Sequence, residues 1–175
     1  MIPGPAGTPP TKGENTVATQ QPDDGSRMPV ISEPVVEVMD EAECLPLIAG
    51  GGVGRIGYTS RFGPTVLPVN YEVYEGSIVF RTGFRSSLEE DLRTGIADAE
   101  YKVAFEIDEM QPATQEGWSV LVQGAAHFVD TDEELAPILR LEVHAWAGGV
   151  KDQFIRIIPA RITGRRIRRT ADSAG

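Results

Sequence analysis

Apolar residues are sparse over residues 1–32 and then recur in short, β-like bursts as far as residue 168. The first stretch is rich in Pro, Gly and polar residues. Such a segment buries too little to offset its ordering entropy, which predicts a disordered arm over 1–32. Val35, Val36 and Val38 form a short extended entry. Asp40 with Glu43 three positions on predicts a capped helix whose apolar positions are Leu45, Ile48 and Ala49. Pro46 predicts that this helix is short or kinked, and Gly50-Gly51-Gly52 stops it. Strand patterns follow over 53–59, 65–74 and 77–82, separated by turn signals at Arg61-Phe62-Gly63-Pro64 and Glu75-Gly76. A helix is predicted over 87–94 and a strand over 101–107. Residues 117–129 are long and apolar on both faces, as expected of a strand buried between layers or against a second subunit. Thr131 and Glu134 form a second capping pair, opening a helix to about residue 141. A loop over 143–150 carries His144 and Trp146, and residues 153–168 read as a strand bent near Pro159.

Six strands, few short helices and mostly hairpin connections predict a mainly β protein: a split antiparallel β-barrel with helical caps. The absence of regular βαβ alternation argues against a doubly wound parallel sheet. The expected organisation is a disordered arm at 1–32, one domain over 33–170 and a flexible tail over 171–175. The strand at 117–129 needs more cover than the short helices provide, and symmetric burial in a homodimer is the common solution.

Charge narrows the partners. The 175 residues carry a formal net charge of −10, which opposes general attraction to nucleic acid or an anionic membrane. The basic residues concentrate near the end, at Lys151, Arg156, Arg161, Arg165, Arg166, Arg168 and Arg169. Two readings fit that run: a solvated strand face paired with acidic neighbours, or an attractor for an anionic ligand such as a phosphate-bearing cofactor. Cys44 is the single cysteine, so no internal disulfide forms. With no apolar run of membrane-spanning length and no secretory signal, a soluble, cytoplasmic protein is expected.

The segment Phe80-Arg81-Thr82-Gly83-Phe84-Arg85-Ser86-Ser87 holds the clearest candidate chemistry. A strand ends at Thr82 and a helix begins near Ser86 or Ser87, each with a Glu three residues later. Helix-start N–H groups, two arginines and several hydroxyls suit a phosphate. An ordinary capped helix with two surface arginines accounts for the same residues. The segment is not a Walker loop, and Gly50–Gly54 leads into a strand, so it is not a dinucleotide fingerprint. Two histidines and one cysteine, far apart in sequence, make no zinc site, and no metal is expected.

The succession Gly54-Arg55-Ile56-Gly57, Val66-Leu67-Pro68-Val69-Asn70-Tyr71 and Ile78-Val79-Phe80-Arg81-Thr82 resembles the flavin-binding split barrels related to pyridoxamine 5'-phosphate oxidase. Val103–Asp108 and Gly117–Gly124 continue the same order, so the resemblance covers about 35–168. It implies a homodimer with FMN in clefts at the subunit interface. Pro68, Val69, Asn70 and Tyr71 would line the isoalloxazine. Phe80, Arg81 and Thr82 would run toward the phosphate, and Arg85, Ser86 and Ser87 would hold it. Trp118, Ser119 and Gln123 would approach from the partner subunit. This chain departs from the family at two places. Ser87 stands where relatives often carry lysine, and the Arg-x-His pair of true pyridoxamine phosphate oxidases is missing near the C-terminus.

The function implied is an FMN-dependent oxidoreductase passing hydride between flavin and a small organic substrate, with no catalytic side chain assigned. The alternative is a non-catalytic binding module for flavin, the deazaflavin F420 or haem, serving storage, sensing or scavenging. For haem, His127 or His144 would be the axial ligand. A third reading is a dimeric structural domain that has lost its cofactor.

Overall fold

The computed structural model describes residues 33–93, 101–141, 143, 146, 148 and 150–169. The expected arm over 1–32, the tail over 171–175 and His144 lie outside the described residues. Among the described residues, seven strands and three short helices follow one another: β1 (Pro34–Met39), α1 (Glu41–Ile48), β2 (Gly52–Ser60), β3 (Gly63–Tyr74), β4 (Ser77–Thr82), α2 (Ser87–Leu92), β5 (Tyr101–Gln111), β6 (Glu116–Phe128), α3 (Asp132–Ile138) and β7 (Gln153–Arg169).

The sheet runs β1-β7-β4-β3-β2-β5-β6, all antiparallel, and an additional β6–β7 ladder closes six of the strands into a barrel. The split lies along β7. One edge of β7 pairs with β6 along nearly all its length. On the other edge β4 covers residues 153–157 and β1 covers residues 164–169. The extended entry expected at Val35–Val38 is therefore a full seventh strand. Β-bulging between Gln123 and Gly124 leaves one extra residue on β7 near Pro159, where the sequence predicts a bend. The strand Tyr101–Gln111 outlasts its predicted end at Ile107, whereas α3 stops at Ile138, short of residue 141.

Local chemistry accounts for the ends. Asp40 and Glu43 form the full reciprocal capping box of α1. That helix runs two residues past Pro46 and ends before Gly51 and Gly52, both with positive φ. Glu75 and Gly76, with φ of 48° and 72°, make the tight β3–β4 turn that such hairpins require. Inside the barrel, Tyr71 meets Phe105 edge-on at 5.4 Å between ring centroids, and Phe80 stacks on Phe105 at 6.1 Å. Ile56, Ile78, Val120, Val122, Ile155 and Ile157 complete the buried centre. A second cluster of Val79, Val129, Ile138, Val143 and Phe154 sits on the opposite face of β4, so β4 is covered on both sides.

Candidate functional site

Strand alternation sorts the residues of the expected cofactor segment. On β3, Leu67, Val69 and Tyr71 turn to the barrel core, while Pro68 is exposed and Asn70 half-buried. Tyr71 is buried, and its hydroxyl donates to the Ile48 carbonyl at 3.1 Å. Phe80 is likewise buried and pairs with Tyr71 across β3–β4. The side chains of Tyr71 and Phe80 thus belong to the core rather than to a surface that could receive a ring. Burial pushes the Tyr71 phenol up to about 12, so it stays neutral through the physiological range.

Asn70 and Arg81 lie one step beyond the Tyr71–Phe80 pair, and both engage the connection between α3 and β7. The Trp146 N–H donates to Asn70 Oδ1 at 2.9 Å. Arg81 donates to the Lys151 carbonyl, with its guanidinium 5.0 Å over the Phe154 ring. The Arg81 Nε, like the Arg156 Nε, is buried without a hydrogen-bond partner among the described residues. A buried guanidinium N–H left unpaired is costly, and an acceptor supplied by a ligand is one way to satisfy it. Gly83 lets the two segments approach, since a Cβ there would meet the Val150 carbonyl at 3.1 Å.

Beyond Thr82 the chain turns into α2. Ser86, rather than Ser87, is the N-cap: its Oγ accepts from the Glu89 N–H at 3.1 Å and lies 2.8 Å from Thr82 Oγ1. Arg85 adopts a left-handed φ of 57°. Its N–H donates to Glu89 Oε2 at 2.9 Å, and the Phe84 N–H donates to Asp152 Oδ1 at 3.2 Å. Glu89 is buried and forms an ion pair with Arg93, which lies 4.5 Å over the Phe128 ring. The role of Glu89 goes unnoticed in the sequence, where an acid three or four residues into a helix signals only a favourable cap.

The remaining predicted residues lie on β6 and divide between faces. Trp118 packs against the core cluster, whereas Ser119 and Gln123 point outward. Gln123 lines an open groove of ≈490 Å³ with Lys102, Ala104, Ala125 and Ile158. Ser119 lines another of ≈460 Å³ with Glu106, Leu121, Arg161, Thr163 and Arg165. Thr82 pairs with Gln153 on β7, but Gln123 and Ser119 pair with Arg161 and Arg165. Those positions stand eight and twelve residues further along, roughly 25–40 Å of extended strand. One chain therefore does not bring Arg81–Ser87 and Ser119–Gln123 to a single small ligand.

On the outer face Arg55 bridges Glu106, at 3.0 Å, and Asp108. The basic end of the chain is in part a paired strand face: Arg168 meets Glu37 at 3.5 Å, and Arg156 meets Glu75 at 3.4 Å. Arg169 binds the Thr114 carbonyl and the Gln115 side chain. Arg161 and Arg165 are exposed. His127 faces Glu134 at 3.6 Å. Among the described residues, no cluster of His, Cys, Asp or Glu could hold a metal ion. No helix among them is long and apolar enough to cross a membrane.

Comparison with known proteins agrees with this architecture. The family model for pyridoxamine 5'-phosphate oxidase matches residues 40–166. An uncharacterised protein of Mycobacterium tuberculosis is 36% identical over 151 residues, covering 85% of this chain and 96% of its relative. The structure of a candidate pyridoxamine 5'-phosphate oxidase from Corynebacterium glutamicum is 28% identical, with a TM-score of 0.64, over 81% of this chain and 98% of that one. An FAD-binding protein from Mycobacterium smegmatis is 29% identical, with a TM-score of 0.60, over 75% of this chain and 100% of its own. The closed β6–β7 ladder, the order of the strands and the match across 40–166 agree, and the chain belongs to the pyridoxamine 5'-phosphate oxidase-like family of split barrels.

Proposed function

We propose that this protein is a homodimeric flavin-binding oxidoreductase that exchanges hydride between the flavin and a small organic molecule. A bound flavin supplies the redox chemistry through its N5. FMN is the flavin implied by the sequence resemblance, and FAD is the one named for the Mycobacterium smegmatis relative. The chain's own contribution is binding and orientation. Pro68 and Asn70 offer an outward-facing edge of β3, and Arg81 offers a cation at the end of β4. The observation that carries the reading is the Nε of Arg81 beside Asn70, buried and unpartnered among the described residues, on a fold shared with an FAD-binding relative.

Dimerisation is supported by the distance between the two groups of candidate residues and by the charge layout of the outer face. Asp108, Ser119 and Arg165 form one row across β5, β6 and β7. A two-fold axis lying between the copies and running along β6 sets the β5 acids of each copy opposite the β7 arginines of the other. The same operation buries Leu121 and Ala125 of both copies.

The alternative, a binding module without turnover, is favoured by the uncharged Ser87 at the turn and by the absence of an assigned proton-transfer residue. For haem, His127 is the less favoured of the two candidate ligands, because it faces Glu134 at 3.6 Å. The test is an absorbance spectrum of the purified protein, then titration with FMN, FAD, F420 and haem. Flavin bands or saturable flavin binding, weakened about tenfold or more by Arg81→Ala, are expected from loss of a charged hydrogen bond. Bound flavin that no small-molecule donor or acceptor oxidises or reduces would select the binding module. F420 or haem bound with flavins ignored would replace the cofactor.

A further inference from the structure

We infer that the turn at Gly83–Ser86 selects against a phosphate monoester, and therefore against FMN relative to flavins without a terminal phosphate at that point. The inference deepens the flavin reading and, for its ligand consequence, rests on it.

Two of the donors that a phosphate would use at this turn are held by the protein's own acids. Phe84 gives its N–H to Asp152, and Arg85 gives its N–H to Glu89. The Ser86 N–H closes on the Gly83 carbonyl at 3.1 Å, and the Glu89 N–H is taken by Ser86 Oγ. Two of these four donors therefore already serve a carboxylate. Glu89 is fixed in place, being 4% exposed and anchored from its other side by Arg93. Arg93 in turn reaches Gln153 Oε1 at 3.4 Å and covers Phe128. The bond from Glu89 also restrains Arg85 in a left-handed conformation that a non-glycine residue adopts at a cost.

The cations expected to offset a phosphate are few. Arg81 already donates one N–H to the Lys151 carbonyl, which leaves its buried Nε, and Ser87 adds no charge. The exposed Arg85 guanidinium, 5.3 Å over the Phe84 ring, and Lys151, whose Cδ lies 4.0 Å from where a Gly83 Cβ would stand, flank the turn. A phosphate dianion placed at this turn would have to displace Glu89 and Asp152 from their amides, or lie beside two carboxylates. Like charges so close repel, and the low exposure of Glu89 limits screening by salt. Riboflavin brings no such charge, and each phosphorus of the FAD pyrophosphate, with one ester and one anhydride link, carries one charge where the FMN monoester approaches two.

The experiment combines two readouts on the full chain. In 15N–1H spectra titrated with inorganic phosphate at constant ionic strength, the Phe84 and Arg85 amide signals of the wild type are expected to stay in place. In Glu89→Gln/Asp152→Asn they are expected to move and saturate. In parallel titrations with riboflavin, FMN and FAD, the wild type is expected to bind FMN no more tightly than riboflavin. The double variant should favour FMN over riboflavin by about tenfold more than the wild type does. Saturable phosphate shifts at Phe84 and Arg85 in the wild type, or FMN bound at least about tenfold more tightly than riboflavin, would overturn the inference. Should no flavin bind while the phosphate result holds, the flavin reading fails and the account of the turn stands. Should the double variant not fold, Asp152→Asn, at an exposed position, carries the same comparison with a smaller expected gain.

Discussion

The Tyr71 hydroxyl ties the barrel interior to the last turn of α1, because it donates to the Ile48 carbonyl from a site with almost no solvent access. Burial raises its pKa from 10 to about 12, so the folded state prefers the neutral phenol. The stability contributed by that preference is complete below pH 10 and is lost as pH rises through 12, a decline of roughly 2–3 kcal/mol. Denaturant unfolding measured at pH 9 to 12 should show this decline in the wild type, and Tyr71→Phe should remove this component of it. At neutral pH the same variant should be about 1 kcal/mol less stable, the usual effect of leaving a buried carbonyl unpaired. Gly164 makes a different demand. A Cβ there would fall 2.5 Å from Cys44 Sγ and 2.6 Å from Met39 Cε, where β7 passes beneath α1. Gly164→Ala should therefore cost roughly 1–3 kcal/mol of stability in chemical denaturation, as over-packing does. Neither effect is readable from sequence, where Tyr71 resembles a ligand-facing aromatic and Gly164 an ordinary strand glycine. Both depend on which neighbour the fold brings against the position.

Elements were legible wherever a signal was local. The Asp40–Glu43 box, the Glu75-Gly76 turn and the hairpins around it follow from residues adjacent in sequence, and they occur where those residues predict. Asp40→Ala should lower stability by about 1 kcal/mol in thermal or chemical unfolding, with little effect on the rest of the barrel. Signals that depend on a distant partner were harder to read. Strand β1 is only six residues long with three exposed valines, and its identity as a strand comes from its ladder with residues 164–169 of β7. The last residues of β5, Asp108 to Gln111, are too polar to read as strand, yet β6 carries them in register through Gln111↔Glu116. Alternation also separates residues that a motif lists together: Trp118 turns inward while Ser119 and Gln123 turn outward. The same limit applies at the α2 turn. Its serines and arginines suggest an anion site, but the buried Glu89 that fills two of its roles becomes recognisable only once its partners are known.

At the scale of the whole molecule, the outer face of β5, β6 and β7 sets the strongest demand on assembly. Its acids, Glu106 and Asp108, are gathered by Arg55 on one side, and Arg161 and Arg165 stand exposed on the other. Leu121 and Ala125 lie between them on β6. An axis running along β6 pairs unlike charges across the two copies, whereas an axis across the strands would set β5 against β5 and like against like. The proposed dimer therefore predicts a sedimentation mass near twice 18.9 kDa at micromolar concentration. Arg165→Glu would place a carboxylate opposite Asp108 of the second copy and should weaken the dimer about tenfold or more. Raising salt should weaken the wild-type dimer and narrow its difference from the variant, since these rim charges are within reach of screening. A stable dimer indifferent to both Arg165→Glu and salt would mean that the axis lies elsewhere on the barrel. A mass near that of one chain would remove the dimer itself, and with it the second set of residues needed to complete a cofactor cleft.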